Sequence, residues 1–401
     1  MTTTDLDVRR VNRAKIAVGV TFGVNGLAVA GWFARAPAVR HDLHLSSVGF
    51  GLMLLCISVA AVAALPLAGP LVQRVGPARA VLLASFSMAA GVTGLATATL
   101  IGSIPLAGAG LVLVGGGTST WDVGMNVEGA DVERRLGRTL MPRFHAGFSL
   151  GTVVAAGLSA AAAATGVSVS AQLYLTAVLT VVIMIWTVRG FIPHQPLAEG
   201  ESHPMSVRQA WLEPRTVFLG VIMLGFGFTE GTANDWLAIS LVDGYRTSDA
   251  VGAIGYGMFV TAMTLARIFG GHAIERWGRV AMLRVTAICA AVGLLLVVCG
   301  VAVPLALAGG LLWGAGSSLG FPVGMSAAAD DPARAAIRVS VAGSIGYTAF
   351  LAGPPLIGVL AQHLGVLNAI LCALAAVTLG ALASGAAKPL PTAKPLPTAK
   401  P

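Results

Sequence analysis

Long apolar runs separated by short polar breaks dominate the pattern along this chain. A run of about 20 apolar residues is what an α-helix needs to cross the hydrocarbon core of a bilayer. Ending each run at charges and Gly/Pro turns predicts spans in the first half at 14–36, 47–71, 79–99, 103–126, 142–164 and 171–191. In the second half they fall at 216–240, 250–272, 280–301, 303–326, 339–361 and 366–386. The first run, Ile16 to Ala34, lacks a cleavage site and reads as a retained first helix. Between the sixth and seventh runs, Pro193, Pro196, Pro204 and Pro214 punctuate a polar stretch that reads as a linker. The predicted organisation is a first bundle at 1–192, a linker at 193–215, a second bundle at 216–386, and a flexible tail at 387–401 that repeats Ala-Lys-Pro-Leu-Pro-Thr.

Charge orients these helices. With the N-terminus in the cytoplasm, only Arg35, Arg40 and Arg246 of the 25 basic residues fall on the outer side. Cytoplasmic loops carry the excess of Lys and Arg, so both termini are expected inside, in a multi-pass protein of the inner (cytoplasmic) membrane. An odd number of spans would destroy this asymmetry. The same placement accounts for the net charge of +8 without nucleic acid as a partner, because the basic residues cluster between apolar runs and form no stripe.

Composition removes the other broad classes. Charged residues are 10% of the chain and hydrophobic residues 56%, whereas a soluble domain carries about 25% charged residues. Cys56, Cys289, Cys299 and Cys372 all lie within apolar runs, show no metal-ligand spacing and read as small core residues. No cofactor or metal is expected, and the sequence holds no Walker-type phosphate loop for ATP.

The two halves repeat one another. Gly69-x-x-x-Gln73-Arg74-x-Gly76 recurs as Gly271-x-x-x-Glu275-Arg276-x-Gly278. Gly124, Met125, Asp131, Arg134 and Arg138 recur as Gly324, Met325, Asp331, Arg334 and Arg338, and Phe22, Gly23 and Trp32 as Phe226, Gly227 and Trp236. Six spans separate each pair, so the repeats are parallel and the fold class is all-α, with twelve transmembrane helices in two pseudo-symmetric six-helix bundles.

These motifs resemble the major facilitator superfamily, whose loop after the second helix carries G-x-x-x-D-R-x-G-R/K with a second copy after the eighth. Here Gly271 to Arg279 matches with Glu275 as the acid, while the first copy has Gln73 in place of the acid and Pro77 in place of the base. Trp121-Asp122-x-x-x-Asn126, the Phe144 to Gly151 start of the fifth helix, and Gly353-Pro354-Pro355-x-x-Gly358 resemble the fucose-permease-like branch of sugar and metabolite carriers. That resemblance implies alternating access around a central site, with a proton-coupling carboxylate at Asp122. The branch also places an Asp in helix 1, where this chain has only Asn25. By the same resemblance Arg74, Arg267, Glu275 and Arg276 belong to a cytoplasmic gate. With Gln73 replacing the acid, closure is expected to depend mainly on the second bundle.

Ionisable groups at membrane depth are costly, and each asks for a reason. Asp122, one to two turns from the inner end of the fourth predicted span, reads as a proton carrier or substrate ligand, against the plainer reading of an interfacial acid wetted by water. His145 enters from the same side; a free imidazole titrates near neutral pH, which makes it the candidate proton partner, with a structural imidazole as the alternative. Glu230 is the deepest acid; with Asn234 one turn on, it is a candidate for proton or substrate binding. Asn25 and Asn126 complete the candidate polar lining. Trp121, Tyr256, Trp313 and Tyr347 are candidates for stacking on a ring-shaped solute, although core or interfacial aromatics are the commoner case. Arg35 near the outer end of helix 1 is expected to pair with Asp235 across the halves as an outer gate.

The leading expectation is a monomeric secondary carrier in a lipid bilayer, moving a small polar organic solute with protons. Proton-antiport export of a drug or secondary metabolite is the second transport reading. It is disfavoured because the fourth span has Gly115-Gly116-Gly117 without an Arg, and the fifth has no Pro after Pro142. An enzyme would need clustered acids and histidines at one interface; the nearest case, His41-Asp42-x-His44, has no further ligands. A sensor on a carrier fold remains the non-transporting alternative.

Overall fold

The computed structural model describes residues 3–45, 47–193, 205–247 and 249–390. The tail from 391 and residues 194–204 of the predicted linker lie outside the described residues. The long helices are α1 (Thr3–Phe33), α2 (Ser47–Val75), α3 (Pro77–Ile101), α4 (Ile104–Leu136), α5 (Met141–Ala164) and α6 (Val169–Thr187). They continue with α7 (Pro214–Ile239), α8 (Asp249–Trp277), α9 (Arg279–Cys299), α10 (Val303–Ser317, resuming as Gly320–Ala328), α11 (Ala335–Leu364) and α12 (Cys372–Ala383).

Among the described residues, ten helical stretches are long and apolar enough to cross a membrane. The helices outside that set are α4 and α8. The first is diluted by Gly115 to Thr120 and carries Asp122; the second carries Arg267. Their polarity is local and has a use, because both line the interface between the bundles.

The repeat read from the sequence is present in the packing. Helix α3 packs on α4, α2 on α4, α1 on α5 and on α6, and α3 on α6. Six helices later α9 packs on α10, α8 on α10, α7 on α11 and on α12, and α9 on α12. Arg13 lies beside Gly190 near the end of α6, and Pro389 and Leu390 lie beside Thr139 of the α4–α5 turn. Arg13 and Pro389 therefore sit on one face, called the terminal face; the opposite side is the far face.

The glycines of the repeated loop motif have a physical cause. Gly76 and Gly278, each starting the next helix, share φ 81° and ψ 158°, a region open essentially to glycine alone. Gly69 and Gly271 serve another purpose, because each backs onto the opposite bundle. A Cβ added at Gly69 would stand 2.7 Å from the Ala336 carbonyl oxygen, and one at Gly271 would stand 2.5 Å from that of Thr139. The motif thus marks two points where the halves touch backbone to backbone. Gly271→Ala is expected to force the bundles apart on the terminal face at a cost of about 1–3 kcal/mol, the range for overpacking. Faster thiol labelling of a cysteine placed at Ser344, deeper on α11, would register it; an unchanged rate would show that the contact does not hold the face shut.

Helix α4 runs well past the predicted end at 126. Val127 to Leu136 continue the helix until Gly137 closes it in the left-handed conformation. Asp122 consequently lies fourteen residues from the helix end, about 21 Å at 1.5 Å per residue, and not near the interface. A short helix, Val207–Leu212, opens with a capping box between Ser206 and Gln209. It packs Ala210 on Ile337 and Val341 of α11. Glu213 then accepts from Arg338. Burial would raise the Glu213 carboxyl, but hydrogen bonds from Arg338 and Thr216 outweigh it and hold it below the usual carboxylate range.

Candidate functional site

Polar side chains meet at two places in the bundle interface. One is centred on Arg267 of α8, which is buried. Its Nη2 donates to Glu230 Oε2 of α7 at 2.8 Å, its Nη1 to Ser149 Oγ of α5 in the other bundle at 3.0 Å, and its Nε to the Ser318 carbonyl at 3.1 Å. Sequence explains the last bond. In a continuous helix the Ser318 carbonyl would accept from residue 322, which is Pro322 and has no N–H. The break in α10 at Ser318 and Leu319 therefore leaves an acceptor that Arg267 fills. Glu230 is not a lone buried carboxylate, as its position in an apolar run suggested; the guanidinium ten residues from the end of α8 neutralises it.

The second polar group belongs to the first bundle. His145 Nε2 lies 3.1 Å from Asn126 Oδ1. Asn126 Nδ2 donates to Asp122 Oδ1 at 3.1 Å and to its carbonyl at 2.9 Å. The direction of these bonds requires the proton on Nε2 of His145. Asn126 thus stands between Asp122 and His145, a bridge the sequence did not reveal. Asp122 is buried, and its second oxygen has no strong hydrogen bond. The Tyr347 hydroxyl of α11 faces the carboxylate across the interface as a weak hydrogen-bond donor, beyond the reach of a strong bond. Phe321 of the second bundle packs between His145 and Tyr347, its ring 6.1 Å from the first and 5.3 Å from the second.

The remaining candidates divide by place. Asn25 is buried, donates to the Met125 sulfur at 3.8 Å and leaves its carbonyl oxygen unpartnered. Tyr256 donates to Asn234 at 3.4 Å, and both Asn234 and Asp235 are exposed toward the far face. Trp121 and Trp313 are fully buried, Trp313 edge-on to Phe259 within the second bundle, so neither offers a ring face to a solute in this conformation. Arg35 departs from the expected pairing with Asp235. Its guanidinium is turned into its own bundle, where it donates to the Val167 carbonyl at 2.9 Å and to Gln172 Oε1 at 3.2 Å. The Val167 carbonyl lies in the turn between α5 and α6, outside any helical hydrogen-bond ladder, and Arg35 supplies it with a donor.

The terminal face is shut by polar contacts between the bundles. Glu275 accepts from the backbone N–H of Thr139 at 2.7 Å. Arg143 lies 3.0 Å from His272, and Ser340 donates to the Leu65 carbonyl. Arg276 stacks on Trp277, and Arg74 lines a surface cavity, so neither makes an ion pair between the bundles among the described residues. Arg267 lies deeper than a surface gate. The acid that sequence reading missed is Glu133 at the end of α4. It accepts from Leu140 N and Met141 N at 2.7 Å each, and from Ser326 across the interface, with Arg279 at 3.8 Å. A signal was available: Glu133 begins Glu-Arg-Arg just before a turn and a Pro at the start of the next helix, where an acid stabilises a helix N-terminus.

Helical bundles that meet around buried polar groups, closed on one face and exposing polar groups toward the other, define a membrane carrier. The family model of the Major Facilitator Superfamily matches residues 18–298, and the chain belongs to that superfamily. It is 32% identical over 363 residues to an uncharacterised transporter, y4wD, of Sinorhizobium fredii, covering 88% of this chain and 93% of that one. An uncharacterised MFS-type transporter of Yersinia pestis is 28% identical, covering 87% and 89%. Among solved structures, the E. coli fucose:proton symporter FucP superposes with a TM-score of 0.78 at 13% identity, over 92% of this chain and 97% of that one. The protein is a multi-pass membrane transporter whose fold resembles the FucP branch.

Proposed function

We propose that this transporter carries a small polar organic solute across the cytoplasmic membrane by proton-coupled alternating access, as a monomer with its terminal face in the cytoplasm. The observation that carries the reading is the buried chain from His145 through Asn126 to Asp122, which ends in a carboxylate oxygen with no strong hydrogen bond, facing the Tyr347 hydroxyl of the other bundle. A carboxylate placed there is costly while charged and unpaired. Protonation removes the charge and supplies a donor, and the Tyr347 side then has reason to approach or release it as the bundles rock. The positive-inside distribution supports the orientation. The likeness to a fucose:proton symporter supports proton coupling and a sugar-like solute. Asn25, Asn126, Asn234, Tyr256 and Tyr347 supply hydroxyl-directed hydrogen bonding, with Glu230 available when Arg267 lets it go.

Asp122→Asn tests this directly. In proteoliposomes with an imposed pH gradient, a panel of sugars and related metabolites identifies the solute. The variant is then expected to lose accumulation against a gradient while retaining solute exchange, because exchange needs binding without net protonation. A variant that still concentrates the solute as the wild type does would remove Asp122 from the coupling role. The same panel, scored for efflux against uptake, separates import from proton-antiport export.

A further inference from the structure

The seven tryptophans divide by place. Trp32, Trp121 and Trp313 are fully buried, and Trp236 is half-buried toward the far face. The remaining three, Trp186, Trp211 and Trp277, are 66%, 41% and 60% exposed, and all lie at helix ends on the terminal face. A membrane-spanning fold usually carries exposed Trp or Tyr at both interfaces. None of the four tyrosines is exposed, so the Trp and Tyr belt of this protein is one-sided.

Helix geometry explains where these indoles point. On α6 the exposed Leu175, Val178, Leu179 and Val182 repeat every three to four residues, and Trp186 is next on that stripe. On α8 the exposed Leu265 and Phe269 lie opposite buried Arg267, and Arg276 and Trp277 follow two turns later. Such stripes on a spanning helix face hydrocarbon, so both indoles stand where hydrocarbon gives way to headgroups. Each carries a guanidinium. Arg189 lies over the Trp186 ring, 4.3 Å from its centroid, and Arg276 over that of Trp277 at 5.5 Å, both within cation–π range. The short helix Val207–Leu212 buries Ala210 against α11 and leaves Arg208, Trp211 and Leu212 exposed. Arg189, Arg208 and Arg276 make no ion pair among the described residues, whereas the inner arginines Arg215, Arg279 and Arg338 each have a carboxylate.

We infer that these indole–guanidinium pairs form a collar that selects anionic phospholipid, the ring among the glycerol and upper acyl carbons and the guanidinium on the phosphate. A phosphatidylglycerol headgroup has a phosphate and no cation of its own. An unpaired guanidinium therefore gains more from it than from zwitterionic phosphatidylcholine. A guanidinium stacked by its face keeps the N–H donors along its edge for that phosphate. The collar touches both bundles and their connection, through Trp186 on the first, Trp277 on the second and Trp211 between them. Interfacial anchors of this kind set helix tilt and rotation. The anionic leaflet thus holds each bundle on the terminal side, and the far face, without exposed Trp or Tyr, lacks that hold.

The test uses the purified full chain in phosphatidylcholine nanodiscs, with rising fractions of dibrominated phosphatidylglycerol or, separately, of dibrominated phosphatidylcholine. Bromine quenches nearby indoles, and both lipids carry it at the same acyl position, so a difference between them reads headgroup preference. Phosphatidylglycerol is expected to reach half-maximal quenching at about one-fifth of the fraction that phosphatidylcholine needs, the effect of roughly one basic residue at an anionic surface. The gap is expected to close as salt rises. Arg189→Gln combined with Arg276→Gln is expected to remove the excess and leave the phosphatidylcholine curve unchanged, which is the control for an intact fold. Trp186→Phe combined with Trp277→Phe is expected to remove most of the quenching specific to phosphatidylglycerol. Equal curves for the two lipids in the wild type would reduce the pairs to anchors indifferent to headgroup. An excess that survives either double variant would place the lipid elsewhere. Either result overturns the inference.

Discussion

Arg267→Met is expected to abolish net transport and to lower stability by about 3–5 kcal/mol, the penalty for leaving one member of a buried ion pair without its partner. Arg267 and Glu230 are both largely buried, so little solvent screening softens the loss. The substitution also removes the donor to Ser149 of the first bundle and to the orphaned Ser318 carbonyl. The double variant Arg267→Met with Glu230→Gln separates fold from function. It removes both charges and is expected to recover most of the lost stability, seen as the midpoint of thermal unfolding, without recovering transport. Transport needs the guanidinium because Arg267 is the group that ties the bundles together at depth and must let go when they rock. Wild-type flux in either variant would reduce the Arg267–Glu230 pair to a structural tie.

The helices and their pairing were legible because lipid forces them to be. Every backbone group must be satisfied within the helix, so apolar runs report spans directly, and the repeated loop motif reported the two-fold arrangement. The depth of Asp122 was not legible, because hydropathy stops at the first acids while the helix does not. Val127 to Leu136 are ordinary helix formers that carry α4 beyond the apolar stretch. Partners of charged residues were the hardest to read. Arg35 reaches α5 and α6 of its own bundle, and Arg267 reaches Glu230 and Ser149; a flexible stem of several carbons lets a guanidinium choose among acceptors that sequence distance does not rank. Pro322 was the one usable clue to Arg267. It names a carbonyl four residues earlier that must find a donor outside its helix.

The closure of the terminal face gives the sharpest remaining prediction. The degenerate first motif, with Gln73 for the acid, suggested that closure depends mainly on the second bundle. The geometry distributes the task differently. Glu275 of the second bundle accepts from Thr139 of the first, and Glu133 of the first reaches Ser326 and Arg279 of the second. Each acid holds the α4–α5 turn, Glu133 through Leu140 and Met141 and Glu275 through Thr139, so the two act on one element from opposite sides. Glu275→Gln and Glu133→Gln are each expected to shift the equilibrium toward the open terminal face by about 1–3 kcal/mol, or roughly 5- to 150-fold in population. Glu133→Gln is expected to have the larger effect, because the charge it removes strengthens two backbone hydrogen bonds at the start of α5 as well as the contacts to Ser326 and Arg279. Since both acids hold the same turn, the double variant should fall short of the sum of the singles. Labelling of Ser344→Cys by a membrane-impermeant thiol reagent from the cytoplasmic side reads the population, and solute flux reads the consequence. Equal labelling in the wild type and all three variants would show that neither acid is a latch. Strict additivity would show two independent latches in place of one turn gripped twice.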